Sequence, residues 1–456
     1  MIECGRICVL LLSFLPLVVC AQNDNLGPGE VVAPQASDDG QQVHGSPTEP
    51  LPLSGAQEIT LRDPQDQNLL SPGVRVMQVF DSNPAGVNPN SESPADGAMV
   101  YGSLVFQLER KRSETKLRFG GGGTFYPSQS NLNSNYQNLS FAQMITLRRW
   151  SFLFASELFH SPKTNFGDLD HYTGPALIDE TGMSQVVLPN QSVFTQQLSR
   201  LSFSNVGEAR YRLGSRTSLT ASAGYSQLRF LVGGLSDVTQ FTFLTGINHA
   251  LNARDTVTLA YGHNIFDLHG IRDSIKSDFV EAAYGHRLTG KLLFDVSVGP
   301  ELFNDPFDSG RHVFIGGHSS LHYRVDRGDL MLTFWRSITS GSGVLIGAQT
   351  NTVELRGTRE LSRKWAGSAV LGYAHNANLQ NNANLQNASE GKPLLGGYAG
   401  LTLQRTLSPY ALLFFGFNLQ RQNRGGPCLT AGCSAGLTRD QIIGGLDFSF
   451  RPIHLR

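Results

Sequence analysis

The sequence predicts a transmembrane antiparallel β-barrel, and three observations predict it. From about residue 97 to the C-terminus, stretches of ten or so residues alternate apolar and polar side chains. That period of two belongs to a strand with two unlike faces. No apolar stretch of spanning-helix length follows the extreme N-terminus, so a bilayer-spanning backbone must satisfy its polar groups by closing strands into a barrel. The connections alternate short and long, matching barrels with short periplasmic turns and long external loops.

The chain of 456 residues accommodates one large barrel and an extension. Its 36 basic and 37 acidic residues leave a net charge of -1, which excludes a global basic field for nucleic acid. A hydrophobic fraction of 40% is low for a helical membrane protein, yet a barrel strand needs only every second residue apolar.

Residues 1–21 read as a signal peptide. Arg6 precedes the apolar stretch Val9–Val19, which is too brief for a stable spanning helix, and cleavage is expected before Gln22. The stretch ending at Cys20 also resembles a lipoprotein signal, although Val19 is bulkier than the small residue such signals carry before the cysteine. Residues 22–70 are rich in Gln, Asp, Pro, Ser and Gly; they read as a disordered periplasmic lead, too short and too polar for an independent plug domain. The barrel domain is expected over 71–456.

Within it, strands are expected at Val74–Phe80, Met99–Leu108, Thr115–Tyr126, Phe141–Arg149, Phe152–Phe159 and Leu201–Leu213. They continue at Ser218–Leu228, Phe241–Leu251, Thr256–Phe266, Asp278–Leu288, Leu292–Phe303 and His312–Arg324. The last six are Asp329–Ser337, Thr352–Leu361, Ala366–Ala374, Gly396–Leu407, Tyr410–Gln420 and Gln441–Phe450. Short connections such as Asn252–Arg254, Thr289–Lys291 and Ser362–Lys364 alternate with longer ones near 127–138, 161–199, 304–311, 378–393 and 421–437. The first segment is decided by parity: without it the termini fall on opposite sides of the membrane, with it they meet in the periplasm. Eighteen strands are therefore expected, with sixteen as the alternative if one early hairpin is a loop.

The alternation assigns faces. Val257, Leu259 and Tyr261 face lipid, while Thr256, Thr258, Ala260 and Gly262 face inward; Phe294, Val296 and Val298 likewise oppose Asp295, Ser297 and Gly299. The same rule turns a set of charged side chains into the lumen: Lys116, Arg118, Glu157, Glu208, Arg210, Arg212, Glu281, Arg287, Asp295, Arg324, Glu354, Arg356, Glu360 and Asp447. Such groups either set a field that selects solutes or pair and hold the barrel's shape, and their mixed signs license neither anion nor cation preference.

Several phrases, Ser71–Pro84 foremost, then Pro189–Ser192 and Arg216–Ser222, resemble an acidobacterial family of outer-membrane β-barrel proteins. The resemblance covers roughly residues 70–450. It implies the fold and the outer-membrane location and carries over no catalytic or ligand residue.

Other chemistry is weaker. Cys428 and Cys433 survive removal of the signal and are expected to form a loop disulfide; metal-binding thiols are the rival, without a His or acidic neighbour to support them. His312, His318 and His322 share a strand face, but 318 and 322 lie about 13 Å apart at about 3.3 Å per residue, too far to share one ion. A membrane hydrolase would need a Ser, a His and an orienting group converging, and the chain has no Gly-x-Ser-x-Gly elbow. No enzyme activity, cofactor or metal is expected. The expected partners are membrane lipid and lipopolysaccharide and the barrel assembly machinery, because Gly445–Phe450 resembles a closing strand read by that machinery. A homo-oligomer or an envelope partner stays open, and no nucleic acid is expected. The expected function is a porin-like outer-membrane channel for passive diffusion of small polar solutes. The alternative is a non-conducting structural or surface-recognition barrel in an envelope assembly.

Overall fold

The computed structural model describes residues 68–86, 93–161, 199–231, 236–270, 274–304, 310–341, 345, 347–379, 393–424 and 436–454. The export signal, the Cys428–Cys433 pair and most of the 161–199 and 378–393 segments lie outside these residues.

The described residues form eighteen long strands. They are β1 (Leu69–Asp81), β2 (Ala95–Arg110), β3 (Ser113–Phe125), β4 (Ser134–Thr146), β5 (Trp150–Ser161) and β6 (Arg200–Arg212). Next come β7 (Thr217–Phe230), β8 (Val238–Ala250), β9 (Asp255–Leu268), β10 (Ile275–Arg287), β11 (Leu292–Asn304) and β12 (Arg311–Val325). The last are β13 (Gly328–Thr339), β14 (Ala348–Ser362), β15 (Trp365–Asn378), β16 (Leu394–Ser408), β17 (Ala411–Arg424) and β18 (Gly436–Ser449). Each pairs antiparallel with its sequence neighbours, and β1 pairs with both β2 and β18, so the sheet closes on itself. Closure leaves no unpaired sheet edge and satisfies the backbone in lipid. After β18 the chain makes a short further pairing, Ile453–His454 against Leu69–Leu70, so both chain ends of the barrel meet at one rim.

Eighteen strands, and not sixteen, are what the hydrophobic pattern and parity require. The segment expected as Val74–Phe80 is longer, reaching back to Leu69, so the barrel begins two residues earlier than the composition boundary at 70 suggests. The fourth strand begins at Ser134 instead of Phe141, and the connection near 127–138 shrinks to a short one holding a single 3-10 turn, Ser130–Leu132. The cause is strand length. A strand of 13 residues extends about 43 Å, or about 33 Å along the axis at a tilt of about 40°, against an apolar band of about 25 Å. The ends of the strands therefore stand in water, where alternation of hydrophobicity fades while the ladder hydrogen bonds persist.

The turns at the rim shared with the chain ends are short: 111–112, 147–149, 213–216, 251–254, 288–291, 326–327, 363–364 and 409–410. In one of them Asn252 Oδ1 accepts from the backbone N–H of Arg254 and Asp255, at 2.7 and 3.0 Å. In another, Arg327 takes a left-handed conformation with φ 64°. Outside, the wall is apolar, with Val313 71%, Ile315 63%, Leu371 59% and Leu401 59% exposed. Aromatic side chains mark the short-turn rim: Trp150 stacks on Phe152 with ring centroids 5.6 Å apart, and Arg405 lies 5.4 Å over the Trp365 ring. An apolar belt with an aromatic girdle is the exterior of a bilayer-spanning barrel.

Candidate functional site

The inner wall carries the polar chemistry. All fourteen charged positions assigned inward by alternation lie on the strand face opposite the exposed apolar side chains; Asp295, Glu208 and Asp447 are 1%, 6% and 7% exposed where Val298 and Phe448 are 54% and 41%. They do not form one constellation. Several of them fall into short-range pairs along a strand or across to another.

At the seam between β1 and β18, Arg75 Nε and Nη2 each lie 2.5 Å from a different oxygen of Asp447. Six residues further along β1 the polarity reverses: Asp81 accepts from Arg439 Nε at 2.9 Å and from Gln441 Nε2 at 2.9 Å. On β14, Glu354 accepts from Arg356 Nη2 at 2.7 Å and from the Tyr398 hydroxyl on β16. Tyr398 reaches that far because Gly372 stands directly opposite it, and a Cβ there would meet the ring at 2.0 Å. On β6, Arg210 lies 3.8 Å from Glu208, and on β3, Lys116 lies 2.9 Å from Glu114. Arg212, Arg287, Arg324 and Glu360 sit exposed at the short-turn end of the lumen.

Alternation also places Arg75, Asp81, Arg439 and Glu301 inward, and these partners were missing from the sequence-derived set. Glu301 and Arg439 share a strand face with Asp295 and Asp447, which alternation had assigned, whereas the first strand carried no assigned residue to bring Arg75 and Asp81 with it.

The three inward histidines serve different neighbours. His318 Nδ1 lies 2.8 Å from Ser297 Oγ and its Nε2 lies 3.7 Å from Asp295 Oδ2; His322 bonds Asp329; His312 packs on Phe303 at a ring separation of 5.4 Å. Among the described residues no three metal-binding side chains converge. Ser297, His318 and Asp295 are the residue types of a hydrolytic triad, but Ser297 is 3% exposed and lies outside the lining of the adjoining cavity. A nucleophile needs access to its substrate, and this trio instead buries a hydrogen-bonded histidine in the wall.

That cavity lies on the inner faces of β8 to β13. It has an empty volume of about 970 Å³ including its mouth. On β10, the pairing with β11 skips Val280 and Glu281, which lie across from Pro300 and Gly299, and resumes at Ala282 in the same register. One departure from the ladder shapes the cavity. On β13, pairing with β12 runs as far as Arg336 opposite Gly317, and the strand then bends inward. The bend is held by Glu301, which accepts from Ser277 Oγ at 2.6 Å and from the backbone N–H of Ile338 at 3.4 Å. Beyond it Ile338 packs with Phe266, Leu268, Ile275, Phe303 and Phe314.

The short-turn rim is basic. Lys111, Arg112, Arg148, Arg149, Arg216, Arg254, Lys291, Arg327, Arg363 and Lys364 stand in the turns against the single acid Asp326.

No family model and no curated protein matches the chain. Among solved structures it is similar to the outer membrane protein opdK from Pseudomonas aeruginosa, at 10% identity over 84% of this chain and 99% of that one, with a TM-score of 0.42. It is similar to OccK2 (OpdF) from Pseudomonas aeruginosa at 10% identity over 84% and 100%, with a TM-score of 0.44. It is also similar to OccAB3 from Acinetobacter baumannii at 9% identity over 84% and 99%, with a TM-score of 0.43.

Proposed function

We propose that the chain is an outer-membrane channel for passive diffusion of small polar solutes. The observation that carries this is the closed ring of eighteen strands with an apolar exterior and a polar, charged interior. With strands about 4.8 Å apart and tilted about 40°, a circular barrel of that size has a backbone radius of about 18 Å. Side chains reach about 6 Å inward from the wall, so they leave a core that must hold water or further chain.

Single-channel recording of the purified full chain in a planar bilayer tests the proposal. Reproducible conductance steps are expected; a well-folded barrel that never conducts refutes it. One observation supports the alternative of a non-conducting barrel. Met77, Met99, Tyr101, Tyr136 and Phe414 face inward yet are no more than 3% exposed, forming an apolar cluster on the lumen side with Phe159 against it. Under that reading the barrel is silent and co-purifies with an envelope component.

A further inference from the structure

We infer that the cavity on the inner faces of β8 to β13 is a binding site for a small amphoteric solute, one carrying a protonated amine and an anionic group on an apolar body. This rests on the channel reading only for how the solute arrives; the site itself stands on the wall's own residues.

The floor is emptied by sequence. Ala260, Gly299 and Gly316 present little or no side chain inward, and Gly299 lies opposite Gly316 in the ladder. Around that floor stand Phe266, Phe279 and Trp335. Phe279 lies flat across the wall because Gly262 is its partner on β9, where a Cβ would meet the ring at 2.0 Å. Trp335 is fixed by donating from Nε1 to Ser337 Oγ at 2.5 Å and by packing 5.8 Å from His318. These side chains give an apolar slot with orientation already set.

Two charges at its edges have no ion-pair partner among the described residues. Away from the exposed short-turn end, most charges of the inner wall engage a neighbour, but among the described residues Glu281 makes neither a hydrogen bond nor an ion pair. Arg336 rests its guanidinium 4.8 Å over the Phe314 ring while its buried Nε has no hydrogen-bond partner. Both line the cavity, and they do not pair with each other. Arg336 stands where β13 leaves its pairing with β12, so the bend that shapes the site also brings its charge inward, while Glu281 is inward by regular alternation. Glu301 also lines the cavity, held in place by one hydrogen bond to each of its oxygens from Ser277 and Ile338. A carboxylate and a guanidinium without ion-pair partners, with an aromatic slot between them, complement an ammonium, a carboxylate and an apolar group respectively. A purely cationic or purely anionic solute would use half of the site.

The chain contains three tryptophans, Trp150, Trp335 and Trp365, and of these only Trp335 lines the cavity. A Trp150→Phe/Trp365→Phe variant in lipid nanodiscs thus makes Trp335 the reporter, with folding checked by heat-modifiable electrophoretic mobility. The probes are L-phenylalanine, phenethylamine and 3-phenylpropanoate. Saturable fluorescence change is expected with the amino acid, at lower concentration than with either single-charge analogue. Glu281→Gln should weaken the amino acid and the amine about tenfold or more and leave the acid unchanged, and Arg336→Gln should do the converse, as loss of one hydrogen bond to a charged group predicts. Absence of saturation with any probe, equal affinity for all three, or indifference to both substitutions would overturn the proposal. The titration needs no current. Saturation in a silent barrel therefore defeats the channel and keeps the site, whereas conductance without saturation defeats the site and keeps the channel.

Discussion

Removing Asp447 should weaken the barrel more than removing any other inward carboxylate that has a single basic partner at longer range. Arg75 and Asp447 close the ring between its first and last strands, with side chains 3% and 9% exposed and two contacts of 2.5 Å. Asp447→Ala leaves the guanidinium over the Phe414 ring, 4.8 Å from its centroid, and removes both 2.5 Å contacts. Breaking one side of a buried pair costs about 3–5 kcal/mol, mostly because the surviving charge stays desolvated. Arg75→Ala should cost a similar amount. The double variant should cost no more than either single one, because the second substitution removes the stranded charge along with the attraction. The assay is urea unfolding of the full chain in lipid vesicles, followed by heat-modifiable mobility, for both singles and the double. Single-variant losses that simply add, to within about 0.5 kcal/mol, would show that the pair does not act as a unit and would refute this account of the seam.

Gly372→Ala should force Tyr398 out of its position and cut its hydroxyl from Glu354, lowering unfolding stability by about 1–3 kcal/mol, with Tyr398→Phe recovering part of the loss in the double variant. Arg327→Gly should leave the barrel as stable or stabilise it by up to about 1 kcal/mol, because the turn already holds φ at 64°; clear destabilisation in urea would contradict that. The exposed pair between Lys291 and Asp326, 2.5 Å apart, holds the aspartate carboxyl below the usual range and raises the lysine. Whatever it contributes is present above the ordinary carboxylate range and fades as pH falls through the lowered value, and solvent screening makes Lys291→Ala silent in the same unfolding assay. The basic turns should retain anionic phospholipid in preference to zwitterionic lipid, read by native mass spectrometry, and neutralising Arg148, Arg149, Arg363 and Lys364 together should abolish the preference.

The architecture was legible because each piece of it has its own period or parity. Alternation such as Phe294–Gly299 gives a strand and its faces together, and the requirement that both ends meet in the periplasm makes Val74–Phe80 a strand although its hydrophobicity alone is unremarkable as a signal. The ends of strands were not legible, as Ser134–Gln137 shows: these residues pair with β3 while Asn135 and Gln137 put polar side chains on the outer face. The lumen charges were legible one at a time and not as pairs. Asp447 is inward by parity, but its partner Arg75 is 372 positions away and meets it only because the ring closes. The cavity was least legible, because it depends on β13 leaving its ladder with β12 after Arg336, and a rule built on regular alternation is blind to such a departure.

The distinction between engaged and unengaged charges bears on how a barrel of this kind selects solutes. Where opposite charges sit two apart on one strand face, as Glu208–Arg210, Glu354–Arg356 and Glu114–Lys116 do, each pair cancels at short range and projects little field toward the middle of the lumen. Reversal at Arg210 or Glu354 thus disturbs the wall before it disturbs selectivity. Among the described residues Glu281 has no such partner, so its charge acts on whatever passes. Under a salt gradient across a bilayer, Glu281→Gln should shift the zero-current potential toward anion preference with the unit conductance little changed, while Glu354→Gln should mainly lower stability in urea. If Glu354→Gln moved the potential and Glu281→Gln did not, the division of the lumen charges into structural pairs and selecting singles would be wrong.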